Sequence, residues 1–273
     1  MAVFRHRRLP SANGSQGRMT KPILRADALS LSFGSVRAVS EVDITLDEGE
    51  CLAIVGESGS GKTTLLSLLA GQLRPQKGRV EYCNREGMWL DLNQLDERER
   101  RHLMRTEWGF VRQHAQASLH PHISAGGHIG ERLMGLGARH YGEIRKTAQQ
   151  WMLRVEMDPS RVDESPSKFS GGMQQRLQLI ANLVTSPRLV LMDEPTTGLD
   201  VSVQATLLDL LKRLQEELGL STIIVTHDLG VARLLADQVL VMVRGEVVER
   251  GLADQVFDDP QHAYTQQLVT SVL

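Results

Sequence analysis

The stretch Gly56, Glu57, Ser58, Gly59, Ser60, Gly61, Lys62, Thr63 decides the fold, because it satisfies G-x-x-x-x-G-K-[ST] between a strand and a helix. The apolar run Cys51–Val55 supplies the strand. Lys62–Gln72, with Leu65, Leu66, Leu68 and Leu69 on one face, supplies the helix. Glycines let successive main-chain N–H groups turn toward one anion, and the opening helix adds the positive end of its dipole. Lys62 offers an ammonium to β- and γ-phosphates, and Thr63 offers a hydroxyl to Mg2+. A glycine- and serine-rich turn with a chance lysine is the bland alternative. The order strand, loop, helix argues against it.

A second phosphate-site pattern lies downstream. Leu189–Met192 reads as a fully buried strand that ends on Asp193 and Glu194. At a strand end, Asp193 can hold Mg2+ and Glu194 can polarise an attacking water. Adjacent acids often mark only a solvated turn, but the upstream phosphate loop makes the chemical reading the better one.

Working outward, strand-like stretches fall at Ile23–Phe33, Val42–Leu46 and Arg79–Cys83, and a charged helix at Asp96–Arg105. Residues 115–168 read as mostly helical, with the clearest helix at Glu143–Met157, ended by Asp158 and Pro159. Alternation then resumes: helix Gly171–Thr185, strand Leu189–Met192, helix Val201–Leu218, strand Ser221–Val225. A short helix at Leu229–Leu235 precedes strands Gln238–Val243 and Glu246–Glu249. The pattern predicts an α/β fold, a mainly parallel sheet covered by helices and interrupted by a helical insertion.

Ser170, Gly171, Gly172, Met173 and Gln174 resemble the signature motif of ATP-binding-cassette (ABC) ATPases. Ser170 suits a helix N-cap, and the two glycines expose main-chain N–H groups for a γ-phosphate. Other marks of the family follow in order: Gln113 resembles the Q-loop glutamine, Gly198–Asp200 the D-loop, and His227 the switch histidine. Phe33, 23 residues before Gly56, resembles the aromatic that stacks on adenine; a core aromatic ending a strand is the alternative. The resemblance covers about residues 22–260. It implies a RecA-like P-loop NTPase core with a parallel-rich sheet, an antiparallel β subdomain and a helical subdomain at about 115–172. It also implies that the chain hydrolyses Mg-ATP. Glu194 and His227 would be catalytic, Thr63, Gln113 and Asp193 would attend Mg2+, and residues 56–63, Thr64, Ser170, Gly171, Gly172, Gln174, Asp200 and Phe33 would meet nucleotide. One signature and one phosphate loop per chain imply a second ABC subunit, a homodimer in the simplest case.

Within the family, two groups compete. Met173–Arg176, Leu199–Gln204 and Ala263–Gln266 resemble ATPases of peptide-type importers, which serve a membrane permease. Arg105–Gly109, Gln113–His114, Ser124–Met134 and Gly137–Arg145 resemble the ABC subunits of the bacterial carbon–phosphorus lyase system, which act in phosphonate breakdown. Importer ATPases usually follow the Q-loop glutamine with Asp-Pro, whereas His114 and Ala115 stand here. The insertion faces the partner in this family, so the lyase core subunits are the expected partners. His120, Pro121 and His122 depart from the resemblance.

Composition narrows the remaining possibilities. A formal charge of −2 argues against a broad nucleic-acid surface, and Cys51 and Cys83 form no disulfide framework or zinc spacing, as suits a reducing cytoplasm. No apolar run approaches the roughly 18 residues of a membrane span. Six histidines fall between His102 and His140, but their spacing sets no metal site, and polar loop histidines are expected. Residues 1–21 read as a disordered leader, or as upstream sequence with Met19 as the natural start. Residues 261–273 are expected to be a helical tail, with no room for an appended regulatory domain.

Overall fold

Strand β1 (Pro22–Phe33) turns at Gly34 into β2 (Val36–Asp47), and alternate apolar residues of both strands face one core. The fold is a computed structural model that describes residues 21–271. The expected leader therefore lies outside the described residues, apart from Lys21, whose carbonyl accepts the Glu48 N–H. Next come β3 (Cys51–Val55) and α1 (Lys62–Leu69), then β4 (Lys77–Cys83), β5 (Trp89–Asp91) and α2 (Glu97–Thr106). Helix α1 stops before the expected Gln72 because Gly71 takes a positive φ, and the Gln72 N–H folds back to the Ser67 carbonyl. Helix α2 is closed by a reciprocal Asp96–Glu99 capping box and buries only Leu103, so its charges stand in solvent as expected.

The core sheet continues with β6 (Trp108–Val111), a strand the sequence pattern did not predict. Four residues, one of them Gly109, are too few to show a period. The insertion follows as α3 (Ala125–Gly135) and α4 (Tyr141–Arg154), with three short 3-10 turns between Ala115 and Lys168. Helix α4 ends before the expected Met157 because Glu156 adopts a left-handed φ of 58°, and the Met157 N–H reaches back to Met152. The second half contains α5 (Gly171–Leu183), β7 (Leu189–Asp193), α6 (Val201–Leu218), β8 (Ser221–Thr226) and α7 (Leu229–Leu235). The described chain closes on β9 (Gln238–Val243), β10 (Glu246–Leu252), α8 (Ala253–Asp258) and α9 (Ala263–Thr270).

Among the described residues, β2-β1-β4-β5 form an antiparallel sheet and β10-β9-β3-β8-β7-β6 a mixed one. Only the β9–β10 pair of the second sheet is antiparallel. Strand β3 is central, paired in parallel with β8 and β9, and all five of its residues are buried. That explains its unbroken apolar run. Its pleat divides the interior. Cys51, Ala53 and Val55 join a core with α5, α6 and α7, while Leu52 and Ile54 join a core with α1 and the antiparallel sheet. Both faces of β3 are thus packed against a core.

Candidate active site

The carboxyl ends of the parallel strands open into a cleft of about 670 Å3, with the 56–64 loop as its floor. Gly56 has φ of 146°, and a Cβ there would lie 2.2 Å from the Met242 carbonyl oxygen. Gly61 has φ of 104°, and its Cβ would lie 2.0 Å from the Ala38 carbonyl oxygen. Both positions accept only glycine, for conformation and for space. Lys62 is buried, and its Nζ donates to the carbonyls of Gly56 at 2.8 Å and Glu57 at 2.7 Å. Burial pushes this ammonium below the ordinary lysine range, against the pull of Glu194, Asp193 and Glu57.

From the floor, Thr63 Oγ1 donates to Asp193 Oδ1 at 3.1 Å. Burial pushes the Asp193 carboxyl up, opposed by the Thr63 hydroxyl. Glu194 follows with φ of 47°, a left-handed conformation that turns its carboxylate back over the cleft. Its N–H donates to the Val225 carbonyl at 2.9 Å, and its carboxylate accepts Thr197 Oγ1 at 3.1 Å. His227 Nδ1 meets the same carboxylate at 2.8 Å. The Glu194 side chain is 13% exposed and the His227 ring 62%, so the histidine stands between a held carboxylate and open space. Gln113 lines the same cleft. Thr63, Asp193 and Gln113 offer hydroxyl, carboxylate and amide oxygens, the hard donors that suit Mg2+, an ion that keeps waters and leans on phosphate oxygens. Among the described residues, no cluster of three or more His, Cys, Asp or Glu is placed to hold a metal without such help.

Several expected residues stand elsewhere. Ser60 is buried with its hydroxyl unpartnered, so only its main chain serves the loop. Gln174 is buried, and its Nε2 donates to the carbonyls of Pro166 and Phe169 at 3.0 Å each. Its side chain braces the turn before α5 and does not line the cleft of its own chain. Gly172 is buried too: a Cβ there would come within 2.4 Å of Val203 Cγ1, so packing on α6 explains that glycine. Ser170 and Gly171 are exposed and outside the cleft of their own chain, with Ser170 Oγ capping α5 through the Met173 N–H. Asp200 is exposed at the start of α6 and makes no side-chain cap bond. Phe33 is 55% exposed at the hairpin end, which removes the core alternative, and the cleft is lined by Val36 across the hairpin instead. The expected loop histidines include helical ones: His102 lies in α2, and His128 is buried in α3 with Nε2 3.1 Å from the His120 carbonyl.

A family model described as ABC transporter matches residues 39–197, from the hairpin to the loop after Glu194. The chain belongs to the ABC family of ATPases. It is 58% identical over 255 residues to the putative phosphonates utilization ATP-binding protein PhnK of Escherichia coli (strain K12), covering 93% of this chain and 99% of that one. It is 38% identical to the oligopeptide transport ATP-binding protein OppD of Bacillus subtilis (strain 168), covering 92% of this chain and 72% of that one. Among solved structures, a dimeric post-hydrolysis state of the ATP-binding cassette MJ0796 bound to ADP and Pi matches with a TM-score of 0.75 and 30% identity. That match covers 85% of this chain and 99% of the other.

The cassette also holds residues the sequence pattern did not flag. Gln175 in α5 is buried, and its Nε2 reaches the carbonyl of Gln113 at 3.3 Å and of Pro195 at 2.7 Å. One amide thus ties α5 to the Gln113 main chain and to the loop beside Glu194. Val36, Arg37 and Ala38 border the cleft from the hairpin, and Leu268 and Ser271 border it from the tail. No helix among the described residues is long and apolar enough to cross a membrane.

Proposed function

We propose that this cassette binds and hydrolyses Mg-ATP in the cytoplasm as a homodimer, working with carbon–phosphorus lyase core subunits in phosphonate breakdown. The observation that carries this reading is the end-to-end similarity to the phosphonates utilization protein, well above that to the oligopeptide transport protein. Lys62 and the 56–64 main chain hold the β- and γ-phosphates. Glu194 orients the attacking water, and His227 steadies Glu194 while facing the γ-phosphate. Thr63, Asp193 and Gln113 would hold Mg2+, which when bound offsets charge on the phosphates. The exposed Ser170–Gly171 turn, with no role in its own cleft, suits closure over the phosphate loop of a second copy.

The partner surface is proposed on the insertion, where Met134, Leu136 and Tyr141 are exposed apolar groups. Of Arg132, Arg139 and Arg145 on the insertion, Arg132 is spoken for, since it donates to Asn182, Met104 and Trp108 inside the fold. Arg145 is paired with Asp163, which leaves Arg139 as the exposed arginine without a carboxylate among its described contacts. Affinity purification of the tagged chain from cells growing on a phosphonate tests the reading. Soluble lyase subunits should co-purify, and Arg139→Glu should weaken that capture with ATP binding intact. Capture of a membrane permease in place of lyase subunits would overturn it in favour of an importer.

A further inference from the structure

Helix α9 follows the sheet's edge strand and could have been a free tail. Instead its N-terminal turn is held by contacts on two sides. The Glu249 carboxylate on β10 accepts the Gln261 N–H at 2.7 Å and the His262 N–H at 3.0 Å. Burial raises that carboxyl, but the Gln261 N–H and its companions outweigh burial and hold it below the ordinary range. His262 Nδ1 caps the helix by accepting the Tyr264 N–H at 3.2 Å, and Thr265 is buried against the core. At the far side, Tyr264 Oη accepts the main-chain N–H of Glu57 at 3.0 Å, 207 positions away in the chain. Glu57 is the first residue after Gly56, so this bond grips the phosphate loop where it leaves β3.

Tyr264, Leu268 and Ser271 stand at i, i+4 and i+7, which places them on one face of the helix. Tyr264 holds the loop, and Leu268 and Ser271 line the cleft itself. Thr270, next to Ser271, is exposed, and its hydroxyl turns back to the Gln266 carbonyl. It does not line the cleft. The helix therefore presents one face to the loop and its ligand space, and another to solvent.

We propose that α9 is a wall of the nucleotide site, in which Tyr264 positions the start of the phosphate loop and Ser271 borders the bound polyphosphate. The C-terminal helix then sets nucleotide affinity, although every motif that marks the site lies before residue 228. This inference rests on the reading of the cleft as the ATP site. A charge placed on the lining face lies nearer a tetra-anionic ligand in the cleft than the same charge on the outer face, and so acts on it more strongly.

The test is ATP binding to the full-length chain by calorimetry at low salt, with thermal unfolding measured on each variant. Ser271→Glu should weaken ATP roughly three- to ten-fold, and Ser271→Arg should strengthen it or leave it unchanged. The same charges at Thr270 share the helix-end effect and should change affinity less than two-fold, by order of magnitude. Tyr264→Phe removes only the acceptor and should weaken ATP about two- to ten-fold with little change in unfolding temperature. A merely structural tail would give Ser271→Glu and Ser271→Arg the same effect, or give Thr270 and Ser271 equal effects. Either result overturns the proposal. Lys62→Ala separates the two readings. If it loses ATP while the Ser271 pair shows no sign dependence, the tail assignment alone fails; if it binds ATP normally, the cleft assignment fails with it.

Discussion

Two glycine-bearing turns open helices in this cassette, the 56–63 loop before α1 and the 170–172 turn before α5, and they are built for opposite directions. The first is folded inward. Gly56 and Gly61 are pressed against main-chain carbonyls, and Lys62 and the Ser60 side chain are buried. The second is anchored from below and open above. Gly172 meets Val203 and Gln174 braces Pro166 and Phe169, while Ser170 and Gly171 face solvent. A turn finished inside its own chain holds a ligand by itself. In the proposed reading, the turn with a rigid base and an open upper side serves a second copy.

The sharpest test of that contrast removes chemistry and keeps both turns. Glu194→Gln should lose turnover by about 10²- to 10⁴-fold while ATP binding survives, and the trapped nucleotide should stabilise the pair of copies. Single-turnover hydrolysis with sedimentation on dilution checks it; near-native turnover would take Glu194 out of the mechanism. Lys62→Ala attacks the inward turn. Losing a buried charge partner of the phosphates should cost about 2–5 kcal/mol of nucleotide affinity, seen in equilibrium titration of the isolated chain. Ser170→Arg attacks the outward turn: ATP-driven pairing should vanish in sedimentation, with single-chain ATP affinity changed less than about two-fold, because the P-loop is untouched. If this variant lost ATP binding as a monomer, the two turns would serve one chain and the contrast would collapse. The smallest effect is expected from Gly172→Ala, which forces Val203 aside and should cost roughly 1–3 kcal/mol of stability in chemical denaturation.

The inward turn was legible as strand, loop and helix because its glycines, lysine and threonine are near neighbours in sequence and mark a local backbone turn. Asp193 and Glu194 were legible for a similar reason: an apolar run that ends abruptly on two acids marks a strand end. The direction of Gln174 was not legible, because polarity does not say which way a helical side chain points, and this one turns beneath its own N-terminus. Strand β6 escaped because it is four residues long, and Gln175 because its partners, Gln113 and Pro195, are main-chain carbonyls that leave no trace in residue type. The tail was legible as a helix, but not as a neighbour of Glu57.

The central place of β3 has a consequence in time. Its pairing partners β8 and β9 are made late, and the Cys51 N–H waits for Asp237, 186 positions later. At a synthesis rate of about 5–20 residues per second, that wait is on the order of 10–40 s. Throughout it, the five apolar residues of β3 lack the strands that pair with them on either side. Contacts so distant in sequence also slow closure of the sheet once the chain is free. The strand that carries the phosphate loop is therefore an exposed hydrophobic segment during the cassette's birth, and a natural target for chaperones.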